Sequence, residues 1–353
     1  MNLKFIREYL QPKESLGCDI GAKSVKFARL SKKQKGILSL EAIGMLECES
    51  LSENLAEAEK VRRFFKEHGV YGLHANINIE CASLKIRRMD IADMPAADTK
   101  IAISWNFREH VDGPIEKYKV SHTDMAAIKK DSAGRKPIMA FAAAEKDIEE
   151  MAKLAKHLGI KTSSIEPNAT ALLASFDYSV GWEPGKNYVM LDLSTDTSNF
   201  IAMRDGDLLF SRPLVGLGGK GLTKSLAKVS GVAPVQAGDK IESYLDSEKK
   251  ALSVDSADSV RSVVDDFMGR MVVEVQRSID AFCMMYHVDN VDRIYLVGGL
   301  SLLPNVTSYL SKNLGIETLL FNPFNKIDLE PIGGGITNPQ LYALAVGLAI
   351  PRM

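Results

Sequence analysis

The sequence of 353 residues is poor in cysteine and has no cysteine or histidine pattern typical of a metal site. Its four cysteines (Cys18, Cys48, Cys81 and Cys283) form no C-x-x-C pair, which excludes a zinc ribbon and a thioredoxin-type redox site. Its six histidines show no H-E-x-x-H spacing. Isolated cysteines suit a reducing compartment, and we expect them to behave as small buried apolar side chains.

The sequence also lacks a charge surplus and a long apolar run. Lys and Arg number 44 against 45 Asp and Glu, which argues against a general nucleic-acid binder. The longest apolar stretch, Tyr342 to Ile350, is half of the about 20 residues that a membrane-spanning helix needs. The first ten residues mix apolar and charged side chains and lack the apolar core of a signal peptide. They predict a short amphipathic helix that packs on the domain or attaches weakly to a membrane, in a chain that stays in the cytosol.

A repeated pattern is the main positive signal. Residues 16–48 and 187–214 each predict a meander of three strands, and in each a strand runs into a turn at an aspartate, Asp19 or Asp192. The two meanders lie about 170 residues apart and are followed by helices, which indicates two related lobes with a cleft between them. The apolar spacing predicts helices near 54–68, 97–110, 145–158, 259–286 and 338–350, and one helix each beginning near Pro167 and after Pro304.

Five segments follow the order of motifs in the actin-like ATPase superfamily. They resemble the first phosphate motif (17–30), the first connecting helix (163–173), the second phosphate motif (189–206), the adenosine motif (295–305) and the second connecting helix (338–350). Within the superfamily, the D-I-G-x-x-S-V-K run at 19–26 is similar to the PilM family of type IV pilus assembly proteins. Further similarities to that family are Met94-Pro95, Ile103-Ser104-Trp105, Gly113-Pro114-Ile115, residues 274–282, Leu303-Pro304 and Asn322-Pro323-Phe324.

The resemblance implies an α/β protein with the actin-like ATPase fold, in which two duplicated lobes surround a nucleotide cleft. It also implies an extra subdomain of the kind that PilM shares with the division protein FtsA. The expected domains are a first-lobe core (1–81 with 159–184 and 338–353), the inserted subdomain (82–158), a second-lobe core (185–218 with 263–337) and a second-lobe insertion (219–262).

The resemblance further implies that the two turns hold ATP and Mg²⁺. Backbone amides and hydroxyls of the turns would donate to phosphate oxygens, and Asp19 and Asp192 would hold the Mg²⁺ through water. Strand alternation leaves open whether Lys26 faces the phosphate. The expected nucleotide-binding residues are Asp19, Gly21, Ala22, Lys23, Ser24, Lys26, Asp192, Ser194, Thr195, Thr197, Gly218, Gly219, Lys240, Gly298, Gly299 and Leu300.

Two positions depart from the superfamily pattern. Ser194 stands where the second turn usually has glycine, and Gly238 stands where related proteins often have a ribose-binding glutamate, which Asp239 or Lys240 would replace. Glu166 is the candidate for positioning a water, with a plain helix N-terminal carboxylate as the alternative. We therefore expect ATP to bind and its hydrolysis to be weak or absent.

The partner implied by the resemblance is the cytoplasmic N-terminal tail of a PilN-type membrane protein, together with other pilus platform proteins and weak self-association. The tail would lie in a groove built by parts of 84–110 and 145–175, with Met94, Ile101, Trp105 and Phe107 as candidate wall residues. The alternative is that these side chains only fill the core of the subdomain. The membrane would be reached only through the partner, and type II secretion or DNA-uptake pili are not distinguished from type IV pili.

Two other functions remain open from the residues alone. A small-molecule kinase of the same fold would need an aspartate base at a helix start, and no convincing one is found. A membrane filament protein of the FtsA kind would carry an amphipathic anchor after the last helix. The sequence ends at Met353, three residues beyond Ile350, which disfavours that alternative.

Overall fold

The computed structural model describes residues 14–33, 36–48, 50–51, 54–250 and 257–351, and their side chains except at 246–250 and 257–258. The helix predicted for the first ten residues lies outside this part of the chain. None of the described helices is long and apolar enough to cross a membrane. By their contacts, Met1–Cys81, Lys146–Gly181 and Asn322–Met353 form one compact unit, and Ala82–Glu145 with Trp182–Phe321 form a second.

The described strands are β1 (Glu14–Ile20), β2 (Ser24–Lys32), β3 (Leu38–Glu47), β4 (His74–Ile79), β5 (Lys85–Ile91), β6 (Tyr118–Asp124), β7 (Lys136–Ala144), β8 (Lys161–Pro167), β9 (Tyr188–Asp192), β10 (Ser198–Arg204), β11 (Asp207–Leu214), β12 (Arg293–Val297) and β13 (Thr318–Leu320). The described α-helices are α1 (Leu55–Glu67), α2 (Ala96–Phe107), α3 (Glu145–His157), α4 (Asn168–Ser179), α5 (Gly219–Ser230), α6 (Pro234–Lys250), α7 (Ala257–Tyr286), α8 (Val306–Leu314) and α9 (Ala343–Ala349). Both predicted meanders are confirmed, as are the helices predicted near 54–68 and 259–286.

The first unit is built on a five-stranded sheet with the order β3-β2-β1-β4-β8. The hairpin strands β1, β2 and β3 pair antiparallel, whereas β1, β4 and β8 are parallel. Helix α9 packs closely on β1, because a Cβ on Gly17 would lie 2.1 Å from the Ala345 carbonyl oxygen. One core cluster of this unit contains Phe27 and Phe65, and it also contains Ala155 of α3.

The second unit repeats that strand order in β11-β10-β9-β12-β13. It also holds the three-stranded sheet β5-β7-β6, whose core contains Ile103 and Phe107 of α2. The Asp207 carboxylate at the start of β11 accepts hydrogen bonds from the backbone amides of Ala126 (3.1 Å) and Ala127 (2.7 Å). The small sheet is therefore attached to the larger one within this unit.

Two predicted elements differ in detail. The helix predicted to begin near Pro167 is confirmed as α4, which begins at Asn168, but the residues of the segment 163–173 that precede it belong to strand β8. Pro167 has extended dihedral angles (φ −58°, ψ 144°), and proline also biases the residue before it towards extended backbone. The closing helix predicted over 338–350 begins with a short 3₁₀ turn, Pro339–Tyr342, before α9.

Candidate functional site

The first aspartate turn joins β1 to β2 in the first unit. The amide of Gly21 donates to the Ser24 carbonyl at 3.0 Å, which closes the turn tightly. A Cβ at Gly21 would lie 3.1 Å from that same carbonyl oxygen, so glycine keeps the turn free of crowding. Ala22 and Lys23 are exposed at its tip, as a phosphate-binding loop requires.

Lys26 faces the aspartate of this turn. Asp19 and Lys26 are direct cross-strand partners, and the Lys26 ammonium lies 3.0 Å from Asp19 Oδ2. The side chains are only 10% and 14% exposed, so the ion pair is largely shielded from water. The structure thus places Lys26 beside the Asp19 carboxylate, and its contact with phosphate stays a prediction.

Sequence reasoning missed a set of buried amides behind this turn. The Ile20 amide donates to Asn78 Oδ1 at 2.9 Å, and Asn78 Nδ2 donates to Asn168 Oδ1 at 3.3 Å. These bonds join the end of β1 to β4 and to the start of α4. The sequence places Asn78 between Ile77 and Ile79, and an amide that is buried at such a position needs a hydrogen-bond partner.

Glu166 lies beside Asn78 in the sheet and directly before Pro167, the N-cap residue of α4. It is the cross-strand partner of Asn78, and it precedes Pro167 at the end of β8. Ser164 Oγ donates to Glu166 Oε1 at 3.3 Å. The suggested role of Glu166 in positioning a water stays a prediction.

The second aspartate turn joins β9 to β10 in the second unit. Asp192 is 4% exposed, and the Ser194 hydroxyl donates to its Oδ1 atom at 2.6 Å. The serine that replaces the usual glycine therefore points its side chain onto the predicted metal-binding carboxylate. Thr195 and Thr197 are half-buried in the same turn.

Three predicted segments meet at this second turn. Leu193 connects it to the adenosine motif: its amide donates to Val297 (2.9 Å) and its carbonyl accepts from Leu300 (3.0 Å). The start of α5 closes the other side, where the amide of Gly219 donates to the Ser194 carbonyl at 3.1 Å. Residues 192–197, 218–220 and 298–301 thus form one backbone cluster, here called the second-turn cluster.

Glycine is required at two positions of the second-turn cluster. Gly298 has φ +84°, and a Cβ there would lie 2.6 Å from the Leu193 carbonyl oxygen. A Cβ on Gly218 would lie 2.4 Å from the Asp196 carbonyl oxygen.

Gly238 and Lys240 lie on α6, and a Cβ at Gly238 would meet nothing within 4 Å.

The candidate partner residues on α2 divide between two faces. Ile101 and Trp105 are 57% and 61% exposed, and Met94 just before the helix is half-buried. The Arg108 guanidinium lies 3.7 Å from the centroid of the Trp105 ring. Phe107 is a correction: its side chain has no exposed surface and lies in the core of the small sheet, so it cannot form the wall of an open groove.

The fold defines the class of protein. Two five-stranded sheets of identical order, each with an aspartate turn at its first hairpin, constitute the actin-like ATPase fold. The sequence model of the family described as "Type IV pilus assembly protein PilM" matches residues 17–353. The chain belongs to this family.

Solved structures agree with this fold. A structure described as the PilM-PilN type IV pilus biogenesis complex is 20% identical, with a TM-score of 0.79, covering 96% of this chain and 98% of that one. The ethanolamine utilization protein EutJ from Carboxydothermus hydrogenoformans is 14% identical, with a TM-score of 0.53, covering 97% of this chain and 90% of that one.

Proposed function

We propose that this protein is a cytoplasmic, nucleotide-binding scaffold in the inner-membrane assembly platform of a type IV pilus or a related secretion or DNA-uptake pilus. It binds the N-terminal tail of a PilN-type membrane protein, which holds it at the inner face of the membrane. The family match over residues 17–353 carries this proposal. The similar fold of a protein solved in a PilM-PilN complex supports the choice of partner.

The outward face of α2 is the part of the second unit that we assign to the tail peptide. Ile101 and Trp105 are four residues apart, so they lie on the same side of the helix. Both are more than half exposed, and Arg108 covers one face of the indole. An exposed tryptophan beside an aliphatic side chain gives a peptide a large apolar contact at low cost in side-chain entropy.

The test is the binding of a synthetic PilN-type tail peptide, measured by isothermal titration calorimetry. We expect Trp105→Ala and Ile101→Ala each to weaken binding about tenfold or more, equivalent to about 1.4 kcal/mol. Met284→Ala is the matched control, because Met284 is 76% exposed at the end of α7 in the same unit. If both α2 variants bind the peptide as tightly as the wild type, the peptide does not bind to this face of α2. If the wild type does not bind the peptide, the PilN-type tail is not the partner.

The nucleotide part of the proposal relies on the two aspartate turns. Each turn presents backbone and hydroxyl donors at a strand end, and α5 begins within the second-turn cluster. We propose that ATP acts mainly as a bound ligand whose hydrolysis is slow. Equilibrium binding of a fluorescent ATP analogue tests the first statement, and single-turnover phosphate release tests the second.

A filament protein of the FtsA kind would behave differently. Such a protein polymerises on lipid in the presence of ATP, whereas the proposed scaffold does not form a lipid-dependent polymer by itself. Sedimentation with ATP and liposomes distinguishes the two, and a lipid-dependent pellet would favour the filament.

A further inference from the structure

The two aspartate turns have the same register, which allows them to be compared position by position. Asp19 pairs across its hairpin with Lys26, and Asp192 pairs across its hairpin with Asn199, seven residues on in both cases. Gly21 and Ser194 are equivalent, each two residues after its aspartate. The differences between the turns are therefore differences in side-chain chemistry at matched positions.

In the first turn the aspartate already has a cation beside it. The Lys26 ammonium lies 3.0 Å from Asp19 Oδ2 in a largely buried position. A shielded ion pair is screened little by salt, so the ammonium offsets most of the carboxylate charge that a metal ion would sense. A hydrated Mg²⁺ that approached Asp19 would meet the repulsion of this fixed positive charge.

In the second turn a hydroxyl occupies the aspartate. Ser194 Oγ donates to Asp192 Oδ1 at 2.6 Å, whereas the equivalent Gly21 has no side chain to donate to Asp19. Mg²⁺ binds proteins through a few carboxylates and keeps several of its waters, which donate to the carboxylate oxygens. The Ser194 hydroxyl takes one of those acceptor positions.

Other acidic side chains do not assemble into a metal-binding group in the part of the chain that the structure describes. Among the described residues, no group of three or more His, Cys, Asp or Glu side chains is arranged to hold a metal ion. At the cross-strand position of Lys26, the second turn has Asn199, which is 5% exposed and whose Nδ2 atom has no hydrogen-bond partner within the described chain. The residues at the two aspartates therefore fit a hydrated Mg²⁺ poorly.

We propose that this protein binds its nucleotide without a divalent cation, because Lys26 in the first turn and Ser194 in the second each take the place of a metal ion at the aspartate of their own turn. An ammonium has three N–H donors, so Lys26 can keep its bond to Asp19 and still donate to a phosphate oxygen. It then joins the carboxylate to the polyphosphate as a metal ion otherwise does. Ser194 prevents the Asp192 carboxylate from recruiting the cation. The inference rests on the proposed nucleotide binding.

The experiment compares the dissociation constant of a fluorescent ATP analogue in excess Mg²⁺ with that in excess chelator. For the wild type we expect the two constants to differ by less than about threefold. A larger dependence on Mg²⁺ overturns the inference but leaves nucleotide binding in place. An absence of nucleotide binding in both conditions overturns the nucleotide part of the proposed function, and the inference with it.

Three variants test the residues. Lys26→Gln leaves Asp19 as a bare carboxylate beside the phosphates, so we expect binding in chelator to weaken about tenfold and excess Mg²⁺ to restore it. Ser194→Ala and Ser194→Gly both remove the hydroxyl, and both are expected to bind Mn²⁺ more tightly than the wild type when nucleotide is present, as measured by electron paramagnetic resonance. If both variants gain the same Mn²⁺ affinity, the gain comes from the loss of the hydroxyl and not from the backbone freedom that glycine adds.

The matched control is Lys186→Gln. Lys186 also pairs with an aspartate, Asp292 at 2.7 Å, but it lies at the opposite end of β9 from the second turn. For Lys186→Gln, the ratio of the dissociation constant in chelator to that in Mg²⁺ should equal the ratio for the wild type. A Lys26→Gln protein that melts as the wild type does and shows no Mg²⁺ dependence overturns the role of Lys26. Should Lys26→Gln fail to fold, the Mn²⁺ measurement on Ser194→Ala decides the proposal.

Discussion

At the residue scale, two adjacent glycines of the adenosine motif have different physical constraints. Gly298 combines φ +84° with a Cβ position 2.6 Å from the Leu193 carbonyl oxygen, whereas a Cβ on Gly299 would meet nothing within 4 Å. We predict that Gly298→Ala lowers the free energy of unfolding by about 3 kcal/mol, from backbone strain and overlap, as measured in urea. Gly299→Ala is the neighbouring control, expected to change it by less than about 1 kcal/mol. Equal effects of the two substitutions would contradict the geometry.

The cysteines provide a second prediction at this scale. Burial raises the pKa of the Cys48 thiol to about 11, and it also raises the pKa of Cys18, which is fully buried. At pH 8 only about one Cys48 thiol in a thousand is then ionised, and the thiolate is the reactive form. We expect these two thiols of the native protein to resist a thiol reagent at pH 8 and to react on unfolding. Reaction of more than two of the four thiols before unfolding would contradict this.

The residues show where sequence reasoning succeeds and where it ends. The aspartates of both turns and the glycine of the first turn were found because their motifs depend on backbone geometry, which glycine reports directly. The bond from Ser194 to Asp192 was not predicted, although the serine was noted as a departure. Side-chain pairing depends on rotamers and on which neighbours are near, and a linear pattern does not contain that information.

At the scale of elements, α2 illustrates the same limit. Its apolar residues lie on both sides of the helix, with Ile103 and Phe107 buried and Ile101 and Trp105 exposed. Both pairs have the same spacing of four residues, so periodicity alone could not decide which pair faces the core. The small sheet made that choice through contacts distant in sequence.

Strand β8 was missed for a different reason. Its sequence, KTSSIEP, has one aliphatic residue, and its side chains are only half-buried or exposed, so it lacks the apolar run of a buried parallel strand. It lies at the edge of its sheet and pairs only with β4. An edge strand needs less apolar surface than a central one, and its pairing comes from its neighbour in the fold.

The attachment of the small sheet to β11 supports a prediction at this scale. The two hydrogen bonds from Ala126 and Ala127 to the buried Asp207 carboxylate join a loop after β6 to the larger sheet. We predict that Asp207→Ala destabilises this attachment by about 2 kcal/mol, because hydrogen bonds to a charged acceptor are lost. Hydrogen exchange of the Ala126 and Ala127 amides should speed up accordingly. Asp289→Ala, at an exposed site, should leave it unchanged, and persistent protection in Asp207→Ala would contradict the attachment.

At the scale of the whole molecule, the chain divides into two units that are not continuous in sequence. Each unit has its own five-stranded sheet and its own buried clusters, and three segments form the first unit while two form the second. The repeated sheet could be predicted because the meander and its aspartate occur twice in the sequence. The assignment of residues 82–145 to the second unit could not, because those residues are connected in sequence only to the first.

The two tryptophans allow this division to be tested in the intact protein. Trp105 and Trp182 both lie in the second unit, so tryptophan fluorescence reports that unit alone, whereas far-ultraviolet circular dichroism reports both. A unit with its own core can unfold at its own denaturant concentration, and probes of different regions then give transitions that do not coincide. We predict separate midpoints for the two signals in urea.

Trp105→Phe sharpens this measurement. Trp105 is 61% exposed, so its emission changes little on unfolding, whereas the ring of Trp182 lies 6.1 Å from that of Tyr188 at the start of β9. In Trp105→Phe the remaining emission follows the sheet of the second unit, and its midpoint should equal that of the wild-type fluorescence. Coincident fluorescence and dichroism curves in this variant would mean that the two units unfold as one cooperative body, because a transition shared by local and global probes leaves no stage at which one unit is folded without the other.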